Sequence, residues 1–83
     1  MNSSISMKYF SVIAEITGKK EEMLSFEEEM DLHRLLEMLT EKYPGLQEYI
    51  PYIRTAVNQQ YESLDYTLSG DEEIALITPV SGG

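Results

Sequence analysis

The sequence predicts an α+β domain, a mixed β-sheet with one main helix packed on one of its faces. Three observations carry that expectation. The chain has 83 residues, enough for one hydrophobic core and too few for two. The segment 31–43, "DLHRLLEMLTEKY", places Leu32, Leu35, Leu36 and Leu39 at the i, i+3, i+4, i+7 spacing of a single helix face. The two most apolar, β-branched stretches, 7–14 and 73–80, lie towards opposite ends of the chain with that helix between them. Burying four leucines is worth on the order of 6–12 kcal/mol before chain entropy is subtracted. A lone helix has nothing to bury them against, so the stripe must lie on a sheet.

Each element has its own signal. Residues 1–6, "MNSSIS", are polar and are expected to form a disordered N-terminal extension, with Met7 an alternative start. "MKYFSVIA" (7–14) carries apolar groups on both faces, as a central strand does. Gly18 and Lys19-Lys20 make a turn, and "EMLSFE" (22–27) returns as a second strand that fades into Glu27-Glu28-Glu29. Asp31 is placed to cap the helix, where a carboxylate accepts free backbone N–H groups, and Pro44-Gly45 ends it. "LQEYIPYI" (46–53) is irregular, with a turn of 3₁₀ helix around Pro51. "RTAVN" (54–58) is a short strand, and "QQYE" (59–62) extends it after a bend or forms a hairpin arm. Leu64 and Leu68 anchor a loop, and "SGDEE" (69–73) is a turn. "EIALITPV" (73–80) is the last strand, stopped by Pro79. The first and last strands are expected side by side in the middle of the sheet.

Composition narrows the function classes. Fifteen acidic residues face six basic ones, a net charge of -9, which argues against nucleic acid or an anionic membrane as a partner. Such a charge steers basic proteins towards the chain, and equally keeps a small domain in solution. With no cysteine there are no disulfides and no thiolate metal sites. Neither a signal peptide nor a membrane-spanning run is recognisable, so a cytoplasmic protein is the expectation.

Catalytic chemistry is poorly provided for. His33 is the only histidine, and near the start of the helix, between Leu32 and Arg34, it reads as a solvated helix residue. The serines lack a histidine partner, which removes a nucleophilic triad. The Glu27–Glu29 run reads as a solvated stretch, and no patterned carboxylate loop exists to hold a metal. Neither a resident cofactor nor a metal is expected.

The chain ends on Ser81-Gly82-Gly83. A terminal Gly-Gly arises by chance in roughly one chain in two hundred, so a frayed end is the less attractive reading. Glycine lets a backbone enter a passage too narrow for side chains. The group such a tail delivers is its terminal carboxylate, which is inert until its oxygen becomes a better leaving group, for instance as an acyl-adenylate. An activated carboxylate then accepts sulfur to give a thiocarboxylate, or an amine to give an amide. Without a cysteine the chain has no thiol on which to carry sulfur, so the cargo would sit on Gly83 itself.

"GDEEIALITPVSGG" resembles the C-terminal signature of the molybdopterin synthase small-subunit family, ubiquitin-like β-grasp sulfur carriers. "KYFSVIAEITG", "LHRLLEMLTEKYPGL" and "TAVNQQY" resemble that family's first strand and turn, its leucine-rich helix and its Ala-Val-Asn strand, so the likeness covers most of the chain. The resemblance implies a β-grasp domain over 7–80 and a flexible tail over 81–83. It implies that Gly83 is adenylated by an enzyme related to ubiquitin-activating enzymes, which uses ATP and magnesium, and that a sulfurtransferase or desulfurase supplies the sulfur of the thiocarboxylate. The tail, with Ser81 and Gly82, would then enter the large synthase subunit, whose residues pass the sulfur to cyclic pyranopterin monophosphate in a heterotetramer of two small and two large subunits. The chain would thus be the small subunit of an enzyme complex with no catalytic side chains of its own. Phe10, Leu76, Pro79 and Val80 match the family's partner-facing positions. The chain departs from many members in lacking an arginine in "SVIAE" and in having Thr78-Pro79 in place of Pro-Pro. Rival readings are sulfur delivery to thiamin or tRNA, a ubiquitin-like modifier conjugated through Gly83, and a plain acidic interaction domain.

Overall fold

The computed structural model describes residues 3–78 and opens with a strand, β1 (Ser3–Tyr9). Ile5, Met7 and Tyr9 are buried on one face, while Ser4, Ser6 and Lys8 point the other way. That alternation is the period of a strand, and it begins before Met7. Ser3 pairs with Phe26 and Ser6 with Glu73, so residues 3–6 belong to the sheet and are not the disordered extension expected for 1–6.

A second correction follows at Phe10. The segment expected to continue the strand to residue 14 is instead a short helix, α1 (Ser11–Thr17). Its buried residues are Ile13 and Thr17, one turn apart, and Gly18 closes it at φ 74°, donating its N–H to the Ala14 carbonyl at 2.9 Å. The β-branched residues here pack as one side of a helix, which outweighs their preference for strands.

β2 (Glu21–Phe26) returns antiparallel to β1. α2 (Leu32–Lys42) is capped by the Asp31 carboxylate, which accepts the Arg34 N–H at 2.9 Å, and it buries all four expected leucines. The free N–H groups of Leu32 and His33 are taken by the carbonyls of Tyr66 and Leu64. Leu64 therefore anchors its loop through the backbone, its side chain being exposed, whereas the Leu68 side chain is buried.

A 3₁₀ segment (Pro44–Tyr52) follows and buries Leu46. β3 (Arg54–Val57) and β4 (Gln60–Tyr61) form a hairpin through Asn58 and Gln59, both at positive φ, the geometry of a type I′ turn. β5 (Glu73–Ile77) completes a five-stranded sheet of order β2-β1-β5-β3-β4, in which β1 and β5 are parallel neighbours at the centre, as expected. Ile5, Met7, Ile13, Leu32, Leu35, Leu39, Leu46, Ile74 and Leu76 fill the space between sheet and helices.

Two carboxylates fasten the framework. Glu72 is buried and accepts the backbone N–H groups of Ser69, Gly70 and Asp71 together with the Ser69 hydroxyl. Gly70 has φ 109°, and a side chain there would overlap Ser3, so only glycine fits this turn against β1. Glu22, on the edge strand β2, is held by donors from β1, the α1–β2 turn and the end of α2.

Candidate functional site

The feature that the fold presents is the place where its central strand leaves the sheet. β5 lies between β1 and β3, with Leu76 opposite Tyr9 on one side and Ile77 opposite Arg54 on the other. Successive residues of a strand face opposite ways, so Leu76 points into the core and Ile77 points out. Phe10, extended at φ -124° and ψ 154°, follows core-facing Tyr9 and so turns outward at the level of Ile77. It is 47% exposed, a large apolar side chain in water.

Next to it the outer face of β3 and β4 continues the surface. Ala56 pairs with Ala75 and with Tyr61, giving a shallow floor beneath exposed Tyr61. The Arg54 guanidinium stands 6.0 Å from the centre of the Tyr61 ring and makes no ion pair among the described residues. Lys8, by contrast, is engaged by Glu21 at 3.7 Å and Glu73 at 3.9 Å. The exit of β5 is thus ringed by Phe10, Ile77, Tyr61 and one unpaired cation, on a chain of net charge -9. Apolar and aromatic side chains with a lone arginine are the composition of a docking surface.

Of the expected partner-facing residues, Phe10 is where a partner can reach it. Leu76 is not: it is fully buried, packed between the sheet and the helices, and belongs to the core. The outward residue of that strand is Ile77, which its alternation with buried Ile74 and Leu76 identifies. Arg54 and Tyr61 also escaped the sequence reading, for want of the strand register that brings them beside Ile77. Pro79, Val80, Ser81, Gly82 and Gly83 lie outside the described residues.

The perturbed carboxylates sit elsewhere and have no spare capacity. Burial works against ionisation of Glu22, but hydrogen bonds from Tyr9, Lys42, Lys19 and Tyr43 outweigh it and bring the carboxyl down to about 2. Glu72 is likewise taken to about 2, burial being outweighed by the backbone and hydroxyl donors of Ser69 and the N–H groups of Gly70 and Asp71. Such groups hold the fold; a general base needs a free lone pair facing a substrate. Burial and then the Glu22 hydrogen bond push the Tyr9 phenol upward, so it stays a donor. His33 is exposed on the first turn of α2, as expected. Among the described residues no group of three or more His, Asp or Glu side chains is placed to hold a metal ion, and no helix is long and apolar enough to cross a membrane.

A model of the ThiS family matches residues 7–83. The chain belongs to the ThiS family. It is similar to the molybdopterin synthase sulfur carrier subunit of Caenorhabditis elegans, with 35% identity over 82 residues that span 96% of this chain and 98% of the relative. The solution structure of small archaeal modifier protein 1 from Methanosarcina acetivorans is 28% identical and superposes with a TM-score of 0.81, covering 100% of this chain and 99% of that one. A complex of subunits 1 and 2 of the molybdopterin-converting factor from Helicobacter pylori contains a chain 26% identical, with a TM-score of 0.62 over 96% of this chain and 99% of that one. The mixed sheet of this ThiS-family chain, crossed by α2, is the ubiquitin-like β-grasp.

Proposed function

We propose that this chain is the sulfur carrier of a molybdopterin synthase, working in molybdenum cofactor biosynthesis. The observation that carries the reading is the end-to-end likeness to the C. elegans sulfur carrier subunit, which leaves almost none of either chain unmatched. The exit of β5 supports it: the central strand ends beside an apolar surface, and the Gly82-Gly83 terminus follows it within a few residues of sequence.

In this reading the Gly83 carboxylate attacks the α-phosphorus of magnesium-bound ATP in an activating enzyme, and pyrophosphate leaves. A persulfide sulfur from a sulfurtransferase or desulfurase displaces AMP, and reduction of the resulting acyl disulfide by a thiol leaves the thiocarboxylate. The carrier then docks through Phe10, Ile77, Tyr61 and Arg54 on the large synthase subunit; that the H. pylori relative forms a complex of subunits 1 and 2 supports such a partner. Its tail delivers sulfur to cyclic pyranopterin monophosphate, and hydrolysis returns Gly83 to the carboxylate. The β-grasp domain supplies position and recognition, and the partners supply the catalytic groups.

The test is the intact mass of the chain after incubation with an activating enzyme, ATP, magnesium and a sulfur donor. Exchange of one oxygen for sulfur, lost when Gly83 is deleted, is the expected result. An unchanged mass beside a control carrier that is converted refutes the reading. An adduct linked through lysine would instead favour the modifier role suggested by the likeness to the archaeal protein.

A further inference from the structure

The sheet has a second exposed feature, at the edge away from β4. β2 is the outermost strand there, and among the described residues no strand pairs with its outer side. The Tyr9 N–H bonds the Lys20 carbonyl at 2.9 Å, which sets the antiparallel alternation along the pair. The backbone groups of Glu22, Leu24 and Phe26 therefore face β1, and those of Glu21, Met23 and Ser25 face outward. Free edges are commonly guarded by proline, by charged side chains, lysine above all, or by a bulge. β2, "EEMLSF", has neither proline nor lysine, its charges Glu21 and Glu22 are confined to its first two residues, and its register with β1 is continuous from Ser3↔Phe26 to Lys8↔Glu21.

Beside this edge a cleft of about 720 Å³ opens between the end of β2 and α2, lined by apolar Phe26, Met30 and Met38, by Glu27, Glu28 and Glu29, and by Arg34, whose charge is already engaged by Glu37 at 3.4 Å and Glu41 at 3.9 Å. The three glutamates are exposed, and none is in an ion pair among the described residues. On the other face of the strand Met23 is 65% exposed. Methionine side chains adapt to varied apolar partners.

We propose that the β2 edge and this cleft dock an extended peptide of a partner protein, apolar where it pairs with β2 and basic where it reaches Glu27–Glu29. Pairing supplies backbone hydrogen bonds at Glu21, Met23 and Ser25, and alternate side chains fall beside Met23 and into the cleft. Charge complementarity names the occupant: three unpaired carboxylates on a chain of net charge -9 attract a cationic peptide and repel a second copy of the chain. Antiparallel addition, the slightly more stable kind, puts the basic residues at the N-terminal end of the peptide. The cleft lies at the Ser3–Phe26 end of β1 and β2, whereas β5 leaves the sheet at the opposite end, beside Tyr9. A peptide held here leaves the tail free, so the site is independent of what Gly83 carries.

The test titrates the ¹⁵N-labelled chain with the peptide acetyl-Lys-Arg-Lys-Val-Thr-Val-Ile-Val-amide and with an analogue whose basic residues are glutamates. Expected are saturable shifts centred on residues 21–30 and Met38, slowed hydrogen exchange at Met23 and Ser25, and no binding of the acidic analogue. The triple variant E27K/E28K/E29K should bind about tenfold more weakly. Ser25→Pro removes an outward N–H without touching the β1 ladder and should also weaken binding; if that variant fails to fold, the exposed triple variant alone decides. Undiminished binding by the triple variant, shifts centred on another surface, no saturation, or self-association through β2 would each overturn the proposal.

Discussion

The Lys42 ammonium at the end of α2 lies 3.0 Å from the Glu22 carboxylate on β2. The same carboxylate accepts the Tyr9 hydroxyl at 2.5 Å, the Tyr43 hydroxyl at 3.0 Å and the Lys19 ammonium at 3.1 Å. One side chain, only 8% exposed, thereby ties the end of α2 to both strands of the β1–β2 pair. Four donors converging on one anion are worth more than any single surface pair, because removing the anion leaves all of them unpaired.

Glu22→Gln keeps the shape but loses the charge, and turns amide hydrogens towards groups that are themselves donors. It should destabilise the domain by about 2–3 kcal/mol. Lys42→Ala removes a half-exposed partner and should cost less than about 1 kcal/mol. Urea unfolding of both variants measures the difference, and equal losses would show that the anion is no hub.

Acid should unfold the protein in a defined window. Glu22 and Glu72 have carboxyls at about 2 in the folded chain against an ordinary 4.5. A depressed folded value means that the unfolded chain takes up protons first, so the stabilisation is complete above the unfolded value and fades as pH falls through the folded one. The melting temperature should therefore be nearly flat from neutral pH to about 5 and drop between about 4.5 and 2. Glu72→Gln should flatten that drop, a comparison that scanning calorimetry makes directly.

How much of this was legible in the sequence depended on whether one element could be read by itself. The α2 stripe and its Asp31 cap were, because spacing and cap lie within one helix. The central pairing of first and last strands followed from their being the most apolar. β1 was misread at both ends, since Ser3, Ser4 and Ser6 hid the Ile5–Met7–Tyr9 alternation and the β-branched residues of α1 imitated a strand. The proposed docking surface was half legible: Phe10 came from resemblance, while Ile77, Arg54 and Tyr61 meet only through a register set by three strands. Glu22 gave no signal, because its four donors come from three segments far apart in the chain or separated by a turn.

Phe10 and Leu76 should separate recognition from stability. Leu76→Ala empties a site in the core and should cost about 2–5 kcal/mol. Phe10→Ala trims an exposed ring, so its unfolding free energy should change by about 0.5 kcal/mol or less. In return it should weaken capture by the large synthase subunit about tenfold or more, as loss of an aromatic anchor does. Denaturation and calorimetric titration on the same two variants give both readings.

The β3–β4 turn offers a gain in stability at one position and a loss at the next. Asn58 and Gln59 both have positive φ, at 48° and 73°. Asparagine tolerates that region, and here its side chain also accepts the Glu73 N–H at 3.0 Å while its own N–H bonds the Glu73 carbonyl at 2.8 Å. Gln59 has no comparable bond and holds its side chain in a conformation that favours glycine at the second place of a type I′ turn. Gln59→Gly relieves that strain at some cost in unfolded-chain entropy, for a net stabilisation of about 0.5–1 kcal/mol. Asn58→Gly satisfies the same backbone geometry yet forfeits the bond to β5, and should lose about 1 kcal/mol. Opposite signs in the two unfolding midpoints would show that the turn is set by backbone conformation at Gln59 and by hydrogen bonding at Asn58.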